Sequence, residues 1–289
     1  LRGIQAVLSK NGILADDVRF LLLARMTGTS SRLQAGEYLV PAGSTPLRIL
    51  RQMERGEVLL HRVTIPEGKT MRQVAGILAA EQWIAPDRFL ALATDPDFIA
   101  SLGFKLDTLE GYLFPDTYSL ARGTVTEEKI ILMMSRRFQE VWKELAPEQS
   151  GSLNRHEVVT LASIVEKETG MAAERPLVAR VFLNRLEKNM RLQSDPTVIY
   201  GLDDFDGELR RADLRAETPY NTYVVRGLPP GPICNPGRHA ILAVLQPADA
   251  PYLYFVSKNN GSHHFSTTLG EHNRAVREYR ASRAAGQEE

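Results

Sequence analysis

The sequence predicts an α+β fold, a small strand-turn-helix module over residues 1–105 followed by a larger mixed domain over residues 106–289. Three observations carry that expectation. Residues 38–53 and 63–78 repeat one pattern, a short strand, a Pro-x-Gly turn, a Ser/Lys-Thr helix start and an amphipathic helix. Residues 156–170, H-E-V-V-T-L-A-S-I-V-E-K-E-T-G, read as a single mostly buried helix. Residues 252–258 and 262–268 flank Asn259-Asn260-Gly261 as the arms of a C-terminal hairpin, since Asn-Gly supplies the positive φ of tight turns. A hydrophobic fraction of 43% in 289 residues is enough to fill the core of two domains.

Composition also excludes several classes. The 35 basic and 35 acidic residues cancel, which removes the simplest argument for a nucleic-acid partner or an anionic membrane surface. Cys234 is the one cysteine, so no intramolecular disulfide forms. Phe20–Ala24, the longest apolar run near the start, is far shorter than the roughly 20 residues of a spanning helix. No signal peptide is recognisable, and the start at Leu1 rather than Met points to a removed upstream segment.

In order, the two repeat copies come first, and Gly68-Lys69-Thr70 in the second is no phosphate loop, because position 63 is Val where that motif needs Gly. Short helical pieces over 86–102 give way to the aromatic, extended stretch Leu109–Tyr118, where Pro115 argues against a central strand and the change of texture sets the boundary near 105. Residues 126–145 form a long helix whose Ile130, Met133, Met134, Phe138, Val141 and Trp142 make a core stripe. The central helix, with Asn154 as N-cap and Gly170 as stop, places Val158, Leu161, Ala162, Ile164 and Val165 on an apolar arc and Thr160, Ser163 and Lys167 opposite. Another helix spans about 174–188, residues 191–202 run from a polar loop into a short apolar segment, and 209–222 are irregular. Gly227–Gly237 carries four prolines and is a shaped loop; a charged helix over about 271–283 closes the chain.

Chemistry concentrates at the end of the central helix. Glu166 and Glu168 project about 160° apart and cannot easily serve one site. Glu166 lies beside Val159, Ala162 and Val165, so desolvation should raise its pKa and suit it to general-acid work, although most glutamates at helix edges only form ion pairs or face solvent. Glu168 is expected to have a structural task, pairing with Arg175 or Arg180. Gln193, Ser194, Asp195, Asn221, Thr222 and Tyr223 suit sugar recognition, and Tyr112, Phe114 and Tyr118 suit stacking on sugar faces. A two-carboxylate glycosidase would pair Glu166 with Asp116, Asp195 or Asp204, whereas a single-carboxylate design needs Glu166 alone. His263, His264, Glu271 and His272 match no helix-borne metal motif, and Cys234 lacks a thiolate setting, so no metal or organic cofactor is called for.

Five blocks in order over residues 109–289 are specific: L-E-G-Y-L-F-P-D-T-Y at 109–118, A-S-I-V-E-K-E-T at 162–169, L-Q-S-D-P-T-V-I-Y-G-L at 192–202, Y-N-T-Y with G-L-P-P-G-P-I-C-N-P-G over 220–237, and Y-L-Y-F-V with G-S-H-H-F-S-T-T and E-H-N over 252–273. Together they resemble the endolytic murein transglycosylases, the YceG-like or MltG family, and the N-terminal repeat is similar to that family's LysM-like module. The resemblance implies a bacterial inner-membrane protein with one N-terminal anchor outside this chain and a periplasmic body. It implies non-hydrolytic cleavage of the β-1,4 bond from N-acetylmuramic acid to N-acetylglucosamine in peptidoglycan, leaving 1,6-anhydro ends, with Glu166, first of the pair in E-K-E-T, as the catalytic acid. Glu110 and Tyr220 are included with Gln193, Ser194, Asp195, Asn221, Thr222 and Tyr112 as substrate contacts. Cooperation with peptidoglycan synthases such as penicillin-binding proteins, as a terminator of nascent strands, is implied by the resemblance alone. A conventional two-carboxylate muramidase and a non-catalytic glycan-binding module remain as alternatives.

Overall fold

A computed structural model describes residues 1–145, 153–258 and 260–285. Along the chain the helices and strands are α1 (Arg2–Lys10), α2 (Arg19–Met26), α3 (Pro46–Arg55), β1 (His61–Thr64), α4 (Met71–Ala80), α5 (Pro86–Leu92), α6 (Pro96–Ser101), β2 (Thr117–Leu120), α7 (Glu127–Leu145), α8 (Arg155–Glu168), α9 (Arg175–Glu187), α10 (Asp195–Tyr200), α11 (Arg238–Leu245), β3 (Tyr254–Ser257), β4 (His263–Ser266) and α12 (Leu269–Ala285). Helices with two small antiparallel sheets, β1–β2 and β3–β4, make this an α+β fold.

The chain divides into two compact units. Residues 1–64 and 117–126 form the first; residues 65–116 and 127–289 form the second. This division departs from a single cut near residue 105. Strand β2 returns to pair with β1, Val63 opposite Tyr118, and so carries 117–126 back to the first unit, while α4 to α6 pack with the second. In the first unit α1, α2 and α3 enclose Leu8, Phe20, Ala24, Ile49, Leu50 and Met53.

The sequence repeat survives as turn, cap and helix. Gly43 and Gly68 both take positive φ in the turns, and Thr45 and Thr70 both cap the following helix by accepting a backbone N–H three residues on. The expected strand of the first copy is absent: residues 37–40 form no described strand, whereas the second copy's strand is β1.

Helix α8 is the axis of the second unit. Asn154 accepts the N–H groups of His156 and Glu157 while Glu157 accepts that of Asn154, a reciprocal cap that satisfies the first turn. Every residue from Val158 to Val165 is buried, including Thr160 and Ser163 on the face expected to be polar. That face is covered by the proline-rich loop, whose Ile233 N–H donates to Ser163 Oγ at 3.0 Å while the hydroxyl donates to Thr160 O at 2.7 Å. Helices α9, α10 and α11 pack on the same helix.

The loop is stitched in from two sides. Asn235 Oδ1 accepts the Leu113 N–H at 2.9 Å, its Nδ2 donates to Lys69 O at 3.0 Å, and its carbonyl accepts the Gly68 N–H at 2.9 Å. Pro232 presses on Gly111, which has φ +87° and where a Cβ would lie 2.4 Å from the Pro232 ring. Gly111→Ala therefore meets both a left-handed backbone and a steric overlap, and is expected to cost about 3 kcal/mol. Urea denaturation measures it, and a loss under about 1 kcal/mol would mean that the loop yields freely there.

Candidate active site

Helix α8 ends in two glutamates whose surroundings differ. Glu166 has a side chain only 5% exposed; its Oε1 accepts from Arg175 Nη2 at 2.9 Å and its Oε2 from the Gly237 N–H at 3.0 Å. Arg175 opens α9 and also lies 3.7 Å from Glu67, so one guanidinium is shared by two carboxylates. Burial raises the pKa of Glu166 above its ordinary value, a shift that the Gly237 N–H and the Arg175 charge reduce without reversing. A guanidinium at ion-pair distance favours the ionised carboxylate.

Arg175 was expected to pair with Glu168, as an alternative to Arg180, and the structure corrects both: Arg175 pairs with Glu166, and Arg180 donates to Asn184 at 2.7 Å and Glu187 at 2.5 Å. The reason is directional. Arg175 follows the turn beyond α8 on the side to which Glu166 points, and the same turn leaves Glu168 facing α10.

Glu168 has no ion pair among the described residues. Ser194 Oγ, the N-cap residue of α10, donates to its Oε1 at 2.5 Å. Burial raises its pKa from an ordinary 4.5 to about 7; the Ser194 hydrogen bond opposes this, the Asp195 charge adds to it, and Arg185 opposes it. Its place in the last turn of α8, where unpaired carbonyls concentrate negative potential, acts in the same direction as burial.

The carboxyl group lines a cleft of about 350 Å³ with Arg185, Gln193, Asp195, Tyr223 and His272. Arg185 holds two walls of it together, donating to Leu253 O ahead of β3 and to Leu192 O ahead of α10, each at 2.7 Å, with its guanidinium over the Tyr254 ring at 5.2 Å. The Tyr223 hydroxyl donates to Asp195 Oδ1 at 2.6 Å, and the ring of His272 stacks on Tyr254 at 5.3 Å. A carboxyl with its pKa raised to about 7, lining a polar cleft beside amide, carboxylate and aromatic groups, is suited to binding a sugar and exchanging a proton with an oxygen of it.

A model of the YceG-like family matches residues 1–278. The chain belongs to that family. It is similar to the endolytic murein transglycosylase of Bacillus subtilis (strain 168), 34% identical over 97% of this chain and 82% of that protein. It is also similar to the endolytic murein transglycosylase of Streptococcus pneumoniae serotype 2 (strain D39), 30% identical over 96% of this chain and 56% of that one. Among solved structures, a yceG-like protein from Listeria monocytogenes superposes with a TM-score of 0.67 at 33% identity, covering 94% of both chains.

In this YceG-like chain the residues expected to touch substrate fall into separate groups. Gln193 and Asp195 line the Glu168 cleft, and Ser194 bonds to the acid. Asn221 and Thr222 are fully buried scaffold: Asn221 Nδ2 donates to Ala216 O at 2.7 Å, and Thr222 Oγ1 accepts the Ser194 N–H at 3.0 Å. Tyr220 packs on Tyr200 with ring centroids 4.8 Å apart. Tyr112, Phe114 and Tyr118 are buried, which corrects their expected role as stacking platforms; Tyr112 sits edge-on to Phe104 and Phe138, with its hydroxyl 3.0 Å from His156 Nδ1.

Glu110 belongs to another place. Burial raises its pKa to about 7, and its oxygens accept from Met71 N–H at 2.9 and 3.1 Å, Tyr200 Oη at 3.2 Å and Asn235 Nδ2 at 3.3 Å, beside a cleft of about 660 Å³ that Arg72 and Tyr200 also line. Of the carboxylates considered as a second catalytic group, Asp195 shares the Glu168 cleft, whereas Asp116 pairs with Arg137 at 2.8 Å. His263 is held by Glu174 at 2.6 Å, and Cys234, buried and with its thiol pushed up by that burial, donates to Ser163 O. The sequence gives no site role to Arg185, Tyr254 or Asn273, although the last two fall within the fifth block, because α9, the hairpin and α12 meet beside Glu168 only in the fold.

The acid makes a testable contribution to stability. Its folded pKa of about 7 exceeds its ordinary 4.5, so between those values the native state binds more protons than the unfolded state, and stability from this group is complete below pH 4.5 and lost as pH rises through about 7. Glu168→Gln removes that titration. Relative to wild type the variant is expected to gain stability between pH 5 and pH 8, as read by urea denaturation at both pH values; a difference independent of pH would place the folded pKa near its ordinary value.

Proposed function

We propose that this chain is a peptidoglycan lytic transglycosylase and that Glu168, rather than Glu166, is its acid and base. One observation carries the assignment of residue: Glu168 is a raised, un-ion-paired carboxyl at the floor of a polar cleft, whereas Glu166 is tied to Arg175 and Gly237. The substrate class rests on the curated relatives, which are named endolytic murein transglycosylases. Glu166, the acid the sequence resemblance implies, becomes an organiser of the loop and of α9.

In this reading the protonated Glu168 gives its proton to the oxygen linking C1 of an N-acetylmuramyl unit to C4 of the next N-acetylglucosamine, and the C1–O4 bond breaks. The resulting carboxylate takes the proton of the muramyl C6 hydroxyl, whose oxygen bonds to C1. The product is a 1,6-anhydro end, and the acid is again protonated. Because the nucleophile belongs to the same ring, the protein need only hold that ring in a reactive shape. The presence of Asp195 in the same cleft supports a second reading, in which it would direct a water to C1 and leave a reducing end.

The finer expectations join the proposal. A periplasmic body beside a single N-terminal inner-membrane anchor fits a substrate that lies outside the cytoplasm, and no described helix is long and apolar enough to cross a membrane. Cutting within strands near peptidoglycan synthases would make the enzyme a terminator of nascent chains. A LysM-like, glycan-holding role for the N-terminal repeat is supported by its paired turn-cap-helix units and by a cleft of about 450 Å³ beside the first, lined by Thr45, Arg48, Arg51 and Arg55.

Mass spectrometry of digested glycan strands tests the reaction: anhydro ends are expected, reducing ends would favour the Asp195 route, and an uncut polymer would leave a binding module. Glu168→Gln is expected to lower strand cleavage by about a thousandfold and Glu166→Gln by far less. The reverse order would return the acid role to Glu166.

A further inference from the structure

Among the described residues, three other than glycine have positive φ: Gln82 at 59°, Asn189 at 53° and Gln193 at 52°. Two of them are explained by helix ends. Gln82 and Asn189 stand just past the C-termini of α4 and α9, where a left-handed residue lets its N–H reach back to the last turn, to Ala79 O and Leu186 O. Gln193 follows no helix. It precedes α10, and helix starts make no demand for a left-handed residue there.

What holds Gln193 in that conformation is Thr222. The Gln193 N–H donates to Thr222 O at 3.1 Å and the next N–H, of Ser194, donates to Thr222 Oγ1 at 3.0 Å, so one residue grips both peptide groups. Thr222 is fully buried and its hydroxyl lies 2.8 Å from that of the equally buried Thr197, which fixes the grip to α10. The side chain so presented is exposed in the Glu168 cleft, and its carboxamide makes no hydrogen bond to any described residue. A left-handed residue that glycine would occupy at lower cost, enforced by a buried clamp and aimed at a cleft, is strain maintained for the sake of the side chain.

We propose that Gln193 reads the 2-acetamido group of the sugar bound beside Glu168, an inference that rests on the transglycosylase reading. A carboxamide offers one acceptor and two donors in a plane, which complements the N–H and C=O of an acetamide, and it is uncharged, as a neutral ligand group requires. Neighbouring Asp195 only accepts and Arg185 only donates, and both are engaged elsewhere, Asp195 by Tyr223 and Arg185 by backbone carbonyls. The clamp fixes the backbone that carries the carboxamide, which limits the positions from which this side chain reaches the sugar.

The test compares kcat/KM on acetylated and chemically de-N-acetylated glycan strands for wild type, Gln193→Gly and Gln193→Ala, with the thermal midpoint of each. Wild type is expected to favour acetylated strands by about tenfold, the worth of one buried hydrogen bond. Both variants are expected to lose that preference, mainly through KM, and the glycine variant to melt no lower than wild type because the strain is relieved. Taking the ratio across proteins cancels the effect of the new ammonium group on the substrate. A retained preference in the variants, none in wild type, or a glycine variant that melts lower and loses both substrates equally overturns the inference alone. Failure of wild type to cut acetylated strands overturns the transglycosylase reading and takes this inference with it.

Discussion

A buried helix that ends in two carboxyl groups has to dispose of two charges, and the second unit is built around two different ways of doing so. Leaving a carboxylate buried and unpaired costs several kcal/mol, so each group must either find a cation or keep its proton. Glu166 takes the first course with Arg175 and the Gly237 N–H. Glu168 is shifted toward the second, with one hydroxyl donor and a pKa raised to about 7. Two residues of separation on one helix are enough to send them to opposite sides, where different loops meet them. The same short motif thus yields one ion-paired carboxyl and one held by a single hydroxyl donor.

Each solution recruits its own part of the chain. The Arg175 pair fixes the start of α9 and the end of the proline-rich loop, which already covers α8 through Ser163 and is anchored by Asn235 to residues 68–69 and 113. On the other side Arg185, nearly three turns along α9, ties the segments ahead of α10 and β3 together and so sets two walls of the cleft. Helix α9 therefore couples both ends of the arrangement: its first residue neutralises Glu166, and an interior residue shapes the space in front of Glu168. Burial depresses the pKa of the Arg185 guanidinium, and the facing Tyr254, Tyr223 and Glu168 act against that shift.

Much of this was legible in the sequence where the signal is local. The cap at Asn154, the buried run of α8, the core stripe of α7 and the C-terminal hairpin follow from periodicity and turn chemistry, because those depend on near neighbours. The opposite projection of Glu166 and Glu168 was legible for the same reason. What could not be read was which arginine each glutamate meets, since Arg175 is close to both in sequence and the turn after α8 decides. Aromatic residues 112, 114 and 118 resemble sugar platforms by composition, yet the first two are buried in the second unit and the third in the first. The partner of β1 is β2, some fifty residues later, and pairing at that distance leaves no trace in a local pattern.

A third buried carboxyl sharpens the distinction between a structural acid and a reactive one. Glu110 is raised to about 7 as Glu168 is, so pKa alone does not separate them. Their hydrogen bonds do. Glu110 already receives the Met71 N–H on both oxygens, together with Tyr200 and Asn235, which commits its lone pairs to the start of α4 and to the loop. Glu168 receives one donor on one oxygen, and its other oxygen has no hydrogen bond to a described residue. A carboxyl has about four acceptor sites, and an acid that must hand over a proton and then take one back needs some of them open toward the reacting atoms. Free hydrogen-bonding capacity beside a cleft, more than burial or a raised pKa, is what favours Glu168 over Glu166 and Glu110 as the proposed acid.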